Sequence, residues 1–174
     1  MAQLDIVEYP DPVLRQVAKP VSVFDAALQE LTDNLTDTLY CTSGIGLCAP
    51  QIGYSQQLLV MDLSEDQTKL EVFINPKILS KSGFAIAEER CLSIPGVAAK
   101  VIRAGVVQIS AQNIQGQTFE QTLEGMSAIC MQHEIDHLQG TLFIDRVSRL
   151  RGLLFKRALR SLDVKHARAT VQTV

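Results

Sequence analysis

The segment QHEIDHLQG constrains this chain more than any other, because it sets two histidines four residues apart beside a glutamate. On an α-helix, His133 and His137 lie on one face about one turn apart, where both imidazoles can reach one ion. Glu134 lies next to them. Only three histidines occur in the 174 residues, so two unrelated histidines at this spacing are the less favoured interpretation. The segment predicts a helix that carries a metal site.

A catalytic metal usually takes three protein ligands, so one remains to be found. The positions downstream of the motif do not supply it. Phe143 stands where the metzincin spacing requires a third histidine, and phenylalanine cannot ligate. His166 lies in a basic tail, where a surface position is the ordinary expectation.

Two cysteines are the other candidates for the third ligand. Cys130 shares the helical face, but an ion between His133 and His137 lies about 7.5 Å from it along the axis. A cysteine sulfur and its metal bond span only about 5 Å, so Cys130 is predicted to line the pocket wall. Cys91 carries a sulfur that binds borderline metals strongly, yet a cysteine in such a segment is more often a buried core residue. The residues alone leave that choice open.

Leucines recur at helical spacing near the N-terminus, which predicts an amphipathic helix over about residues 25 to 41, with Ser22 or Asp25 as its N-cap. Five short β-branched or apolar runs follow between residues 57 and 123, and a hairpin-like NIQG turn separates the last two. The runs are LLVMDL, EVFIN, AKVIR, VVQISAQ and QTFEQTL. They predict antiparallel or mixed β-sheet.

Helical spacing returns from Met126 to Leu138, and Gly140 lies where a left-handed residue would end a helix. A further helix is predicted to begin at Ser148 and to run past Leu162. Because strands and helices do not alternate regularly, the predicted fold class is α+β. Its mixed or antiparallel sheets surround a central metal-binding HExxH helix, with an N-terminal and a C-terminal helix beside them.

One domain over residues 1–174 is predicted, since the length and the 47% hydrophobic content suit a single core. The opening MAQLDIVEYPDP has neither the charged start nor the apolar core of a signal peptide, and no apolar run approaches membrane-spanning length. A cytosolic protein without a membrane partner is therefore expected. Free thiols are expected at all four cysteines: Cys41, Cys48, Cys91 and Cys130.

Positive charge is concentrated at the C-terminal end of the chain. Eight of the sixteen Lys and Arg residues follow Asp145, and only Asp163 opposes them. On a helix the leucines of this segment can pack inward while the basic side chains face water. Such a face is usually only solvated, but over residues 147–174 it also suits contact with RNA phosphates.

Three segments, GIGLCAPQIG, ERCLSIPG and QHEIDHLQG, occur in the order and at the separations of the three signature motifs of peptide deformylases. The chain resembles the bacterial form of that family along most of its length. The resemblance implies a cytoplasmic metallohydrolase that removes the formyl group from the N-terminal formylmethionine of nascent polypeptides and releases formate. It implies formylmethionyl peptides as substrates, no DNA partner, and docking of the C-terminal helix on the ribosome.

The resemblance also assigns roles to individual residues. The implied metal ligands are Cys91, His133 and His137. Water would be the fourth ligand and the nucleophile, and Glu134 is implied to take its proton and pass it to the departing amine. The side-chain amide of Gln51 and the backbone N–H of Leu92 are implied as donors to the oxyanion. One divalent metal is implied, ferrous iron natively, with zinc, nickel or cobalt accepted, because this ligand set does not distinguish them.

A substrate cleft follows from the same resemblance. Gly44 and Gly46 fit a strand edge that a peptide backbone approaches closely. Four residues are implied to enclose the methionine side chain: Ile45, Met126, Ile129 and Cys130. A soft apolar pocket suits a thioether, although plain core packing produces the same pattern.

Arg90 departs from the family pattern, in which a glycine precedes the cysteine ligand. Its side chain either narrows the cleft, or meets the downstream part of the substrate, or points into solvent. Cys48 replaces an alanine common in the first motif and is predicted to be buried. Arg103 can pair with Glu89 or Asp136 and so hold the metal-bearing segments together, although a surface salt bridge is also consistent with its position.

Two other functions fit the residues. A metallopeptidase also uses HExxH with a glutamate base. A non-catalytic member of the same fold would bind nascent chains or ribosomes if Arg90 closed the cleft. Formate release from formyl-Met-Ala-Ser, without cleavage of internal peptide bonds, distinguishes a deformylase from both.

Overall fold

The computed structural model describes residues 3–147 of the chain. This part contains two α-helices, α1 (Ala26–Tyr40) and α2 (Met126–Leu138). Short 3-10 helices span Pro12–Arg15, Ala49–Ile52 and Phe143–Arg146. The strands are β1 (Gly46–Cys48), β2 (Leu58–Met61), β3 (Glu71–Ser82), β4 (Ala85–Cys91), β5 (Ile94–Arg103), β6 (Val106–Gln112) and β7 (Thr118–Glu124).

Five strands form one antiparallel sheet in the order β1, β2, β3, β6, β7, and β4 pairs with β5 in a separate antiparallel hairpin. The predicted NIQG turn joins β6 to β7, and Gly116 adopts the left-handed conformation that such a turn requires, with a φ of 78°. The predicted α+β class is confirmed. Strand β4 was not predicted, and β1 was predicted only as a strand edge at Gly44 and Gly46.

Helices α1 and α2 cover opposite faces of the five-stranded sheet. Leu58 and Val60 of β2 belong to the core beneath α1, while Leu59 and Met61 belong to the core beneath α2. Successive side chains of a strand point to opposite faces, so a strand between two helices is apolar at every position. This packing explains the unbroken apolar run of β2.

Both predicted helix boundaries follow from local chemistry. The carboxylate of Asp25 accepts hydrogen bonds from the backbone N–H groups of Ala27 and Leu28, so Asp25, of the two predicted candidates, is the N-cap of α1. Gly140 follows the end of α2 with a φ of 67°. A Cβ there would lie 2.5 Å from the carbonyl oxygen of Arg15, so both conformation and space require glycine.

Helix α2 lies at the centre of the structure, and every residue from Ala128 to Leu138 is buried. Its apolar residues, such as Met131 and Ile135, pack against the sheet. The remaining buried positions include histidines and carboxylates, which are costly to bury without partners. Those partners come from the β4–β5 hairpin and build the site.

The four cysteines are free thiols, as predicted, and Cys48 is buried. The helix predicted from Ser148 past Leu162 lies outside the described residues, and one domain over residues 1–174 stays a prediction. Within residues 3–147, no helix has both the length and the apolar character needed to cross a membrane.

Candidate metal centre and cleft

Three side chains that are distant in sequence meet where the end of β4 contacts α2. Cys91, His133 and His137 each offer one ligand atom, and these atoms lie within 4.8 Å of one another. The Sγ atom of Cys91 is 3.2 Å from Nε2 of His137, and the two imidazole rings have centroids 5.0 Å apart. A thiolate with two imidazoles is a donor set for a borderline divalent metal, so these residues fit one such ion.

The surroundings of His137 favour the form that binds metal. Burial is the main reason that the pKa of His137 lies well below its ordinary value. Its imidazole is therefore neutral, as a metal ligand must be. Its Nδ1 atom is buried and has no hydrogen-bond partner among the described residues.

His133 is oriented by two neighbours. Its Nδ1 atom lies 2.7 Å from Oε2 of Glu89, a carboxylate contact that fixes the tautomer and leaves Nε2 for a metal. Phe143 stacks on the same ring, with centroids 6.0 Å apart. Phe143 therefore packs against a candidate ligand and is not a candidate itself. The Glu89 contact was not predicted, although alternation along β4 places Glu89 on the same face as Cys91.

Arg103 pairs with both of its predicted partners. Its Nε and Nη2 atoms donate to the Glu89 carboxylate at 2.7 and 2.9 Å, and its Nη1 atom donates to Asp136. Asp136 also accepts two hydrogen bonds from Arg146. Burial opposes ionisation of Glu89, but the hydrogen bonds from Arg103 and His133 outweigh it and lower the pKa of Glu89 to about 2. This charge network joins β4, β5 and α2.

Glu134 is the one carboxylate of the site without an ion-pair partner among the described residues. It is buried, and its Oε2 atom has no hydrogen-bond partner in that part of the chain. Burial is the main cause that raises the pKa of Glu134 above its ordinary value. A carboxylate whose pKa lies above its ordinary value exchanges a proton more readily near neutral pH.

Gln51 lies in the 3-10 helix after β1 and is held by Cys48. The Oε1 atom of Gln51 accepts hydrogen bonds from the Cys48 backbone N–H at 3.0 Å and from its thiol at 3.2 Å. The Nε2 atom therefore faces Ser93 Oγ at 3.4 Å and Cys91 Sγ at 3.6 Å. Cys48 was predicted only as a buried replacement for alanine, and this contact was missed, although the two residues lie three positions apart at the same 3-10 helix.

The two remaining buried cysteines are not part of the candidate ligand group. Burial, followed by the charge of Glu134, raises the pKa of both Cys48 and Cys130 well above the ordinary value. Both thiols therefore keep their protons at neutral pH, and a protonated thiol is a poor ligand. Cys130 lines the pocket wall, as its reach predicted.

A cleft of about 390 Å³ opens beside these groups. Gln51, Leu92 and Glu134 line it, and Leu92 lies in the turn that follows Cys91. Every residue predicted to bind substrate lines it as well: Gly44, Ile45, Gly46, Arg90, Met126, Ile129 and Cys130. Ile129 and Cys130 are buried, whereas Ile45 and Met126 are exposed at its mouth.

Two unpaired strand edges border this cleft. Within residues 3–147, β1 pairs only with β2, and β4 pairs only with β5. The segment Gly44–Gly46 and residues 87–91 both line the cleft. An extended peptide can hydrogen-bond to such edges as an added strand.

A site that brings thiolate and imidazole donors together beside a buried carboxylate outside any ion pair of the described residues supports metal-assisted hydrolysis, and with this fold it defines the chain as a metallohydrolase. A family model described as polypeptide deformylase matches residues 3–152. The chain belongs to the peptide deformylase family, whose enzymes remove the formyl group from N-terminal formylmethionine.

Relatives in sequence and in structure support this assignment over nearly the whole chain. The peptide deformylase of Chromobacterium violaceum is 48% identical over 163 residues, covering 94% of this chain and 98% of that protein. A crystal structure of the Legionella pneumophila enzyme matches with a TM-score of 0.88 and 44% identity, covering 96% of this chain and 99% of that one. Arabidopsis thaliana peptide deformylase 1B matches with a TM-score of 0.90 and 40% identity, covering 96% and 94%. The predicted family and enzyme class are confirmed.

Substitution of Gly46 tests how tightly the cleft wall positions Glu134. A Cβ at residue 46 would lie 2.6 Å from Cys130 Sγ and 3.0 Å from Glu134 Oε1. We expect Gly46→Ala to displace that carboxylate and to lower kcat for formate release by about 10- to 100-fold. Gly105→Ala is the matched control, because its Cβ stays 3.6 Å from the nearest atoms of Phe84. Equal kinetic constants for both variants would show that the Gly46 contact does not govern the position of Glu134.

Proposed function

We propose that this enzyme deformylates N-formylmethionyl chains with Glu134 as the proton carrier and with three protein ligands to one divalent metal: Cys91, His133 and His137. The observation that carries the proposal is the meeting of three donor atoms within 4.8 Å, at a cleft lined by a buried glutamate whose Oε2 atom has no hydrogen-bond partner among the described residues. The known activity of the family supplies the reaction, and these positions supply the groups that the reaction needs.

A divalent metal held by these ligands would lower the pKa of a water molecule and polarise the formyl oxygen. We propose ferrous iron as the native metal, with zinc, nickel or cobalt as substitutes in purified protein. A thiolate and two imidazoles suit all four ions, so the donor chemistry is consistent with each.

Glu134 takes a proton from the attacking water and later gives it to the departing amine. Three properties support this role: the carboxylate is buried, its pKa is raised, and Oε2 has no partner among the described residues. A group that holds the proton only between these two steps must not be tied into an ion pair. Arg103 is consistent with this requirement, because it forms ion pairs with Glu89 and Asp136 and none with Glu134.

Gln51 and Leu92 stabilise the oxyanion that forms on the formyl oxygen. The amide oxygen of Gln51 is anchored by Cys48, so its Nε2 donor already faces the Cys91 side of the cleft. Donors that are fixed before the reaction need no reorganisation when charge develops. The backbone N–H of Leu92 is the second proposed donor.

The methionine side chain of the substrate occupies the apolar part of the cleft. Four residues form that part: Ile45, Met126, Ile129 and Cys130. Their soft and flexible surface suits a thioether. The edge at Gly44–Gly46 pairs with the peptide backbone, which orients the formyl group towards Cys91.

One experiment tests the metal and the reaction together. Protein purified without oxygen is analysed for metal, and the same sample is assayed for formate release from formyl-Met-Ala-Ser. We expect about one divalent metal per chain, release of formate, loss of activity on chelation and recovery with ferrous iron. Cleavage of internal peptide bonds would instead support a metallopeptidase. Metal-replete protein that releases no formate would support a non-catalytic binding protein.

We propose a cytoplasmic location in a bacterium. The bacterial relatives support it. Contact with the ribosome through the basic segment 147–174 is a further proposal. It is supported by the charge of that segment, nearly all of which lies outside the described residues.

A further inference from the structure

Arg90 lies at the rim of the cleft. It directly precedes Cys91 on β4, and its side chain is 72% exposed. Among the described residues that line the cleft, Arg90 is the only lysine or arginine. A substrate entering the cleft therefore passes a single cation close to the metal ligands.

The guanidinium of Arg90 is only partly engaged. Its Nη2 atom donates to Glu88 at 2.9 Å, while Nε and Nη1 have no partner within residues 3–147. Ion pairs between exposed side chains contribute little and exchange readily. A guanidinium offers five N–H donors in a planar fork that matches both oxygens of a carboxylate. Arg90 can therefore accept a second carboxylate, or exchange Glu88 for one.

The charges around Arg90 also favour an anion. Glu88 has Lys100 as its cross-strand partner on β5, so two cations and one carboxylate share the outward face of the hairpin. Glu89 and Glu134 line the cleft too, but Glu89 is neutralised by Arg103, and Glu134 is buried. The rim next to Arg90 therefore carries excess positive charge.

We propose that Arg90 makes this enzyme selective for formylated chains with aspartate or glutamate among the residues that follow methionine. The inference rests on the proposed function, because it names a substrate class for the same cleft. Of the three predicted outcomes for Arg90, the geometry favours contact with the downstream part of the substrate. The Arg90 side chain extends into solvent at the rim, and its Nε and Nη1 donors have no partner within residues 3–147.

Steady-state kinetics on a peptide series test this selectivity. The peptides begin with formylmethionine, carry Asp, Lys or Ser at the second, third or fourth position, and are amidated so that the designed side chain is the only carboxylate. At low ionic strength we expect kcat/KM to be about 3- to 10-fold higher for Asp than for Lys at one or more positions. The difference should appear in KM, because Arg90 binds ground and transition states alike. It should fade in 0.5 M NaCl, where the Debye length is only about 4 Å.

Three variants identify Arg90 as the source of any preference. In Arg90→Gln the kcat/KM values for the Asp and Lys peptides are expected to lie within about twofold of each other. Arg90→Lys should give an intermediate ratio, since lysine keeps the charge but lacks the planar set of guanidinium donors. Lys81→Gln is the matched control. It removes the same charge at an exposed position of β3 that does not line the cleft, so the ratio should persist.

Two results would overturn the proposal. One is a kcat/KM ratio of Asp to Lys peptides within about twofold at every position in the native enzyme. The other is a preference for Asp peptides that persists in Arg90→Gln. The serine peptides report deformylation itself. Formate release from them without an acidic preference refutes only the selectivity, whereas no release from any peptide refutes the proposed function.

Discussion

Replacement of Glu134 with glutamine is expected to lower kcat for formate release by about 10²- to 10⁴-fold, with the metal content unchanged. Glutamine keeps the shape of the side chain but can neither take a proton from water nor return one to the amine. Because Glu134 is not among the three residues that offer ligand atoms, the variant should bind metal normally. The assay is formate release at saturating formyl-Met-Ala-Ser, with metal analysis of the same sample.

The same variant has an expected effect on stability that separates a catalytic role from a structural one. Glu134 is a buried carboxylate whose pKa is raised by burial, so its ionised form weakens the fold at neutral pH. Glu134→Gln should therefore unfold at a temperature no lower than that of the native enzyme. Glu124→Gln, at an exposed position at the end of β7, is the matched control for the change in charge. A kcat within tenfold of the native value would contradict the proton-carrier role.

Replacement of Arg103 with methionine is expected to destabilise the enzyme by about 3 to 5 kcal/mol. Arg103 is buried between Glu89 and Asp136, and methionine fills similar space without a charge. The substitution would leave Glu89 with only His133 and Asp136 with only Arg146 as described partners. Removal of one member of a buried ion pair is costly because the charge that remains is desolvated. Urea unfolding of the metal-loaded protein at neutral pH measures the loss.

Arg146→Met provides the comparison for this prediction. Arg146 also pairs with Asp136, but its side chain is 46% exposed, and Asp136 keeps Arg103 as a buried partner. Its loss should therefore cost about 1 kcal/mol or less. If both substitutions destabilised the protein equally, the buried network would not be the element that holds β4, β5 and α2 together.

The elements that sequence predicted correctly are those whose signal is local. The leucine spacing of α1, the turn between β6 and β7, and the left-handed Gly140 each depend on neighbouring residues. Strand β4 was missed because Glu88, Glu89 and Arg90 give it a polar composition. Its inward Glu89 is compatible with a strand only because Arg103 arrives from β5, and no local pattern contains that information. Strand β1 has only three residues, too few for alternation to be visible.

The site residues also divide into those with a local sequence signal and those without one. The histidines and Glu134 were identified from one helical turn, because their spacing alone places them together. Cys91 could not be chosen from the residues, since its meeting with His137 depends on how β4 packs against α2. Only the resemblance to a family supplied it. Arg103 shows another limit: sequence offered Glu89 and Asp136 as alternatives, whereas a buried guanidinium with several donors binds both.

The two unpaired edges at the cleft have a consequence for when the enzyme can act. Unpaired strand edges readily recruit strands of other proteins, and proteins usually protect them. Here they border a recess of about 390 Å³, which admits an extended chain end but not a folded surface. The recess therefore selects substrates whose N-terminal residues are still unfolded. A polypeptide whose first residues have already joined a sheet or helix is excluded from the cleft. Removal of the formyl group must therefore precede the folding of the N-terminal residues of each newly made protein.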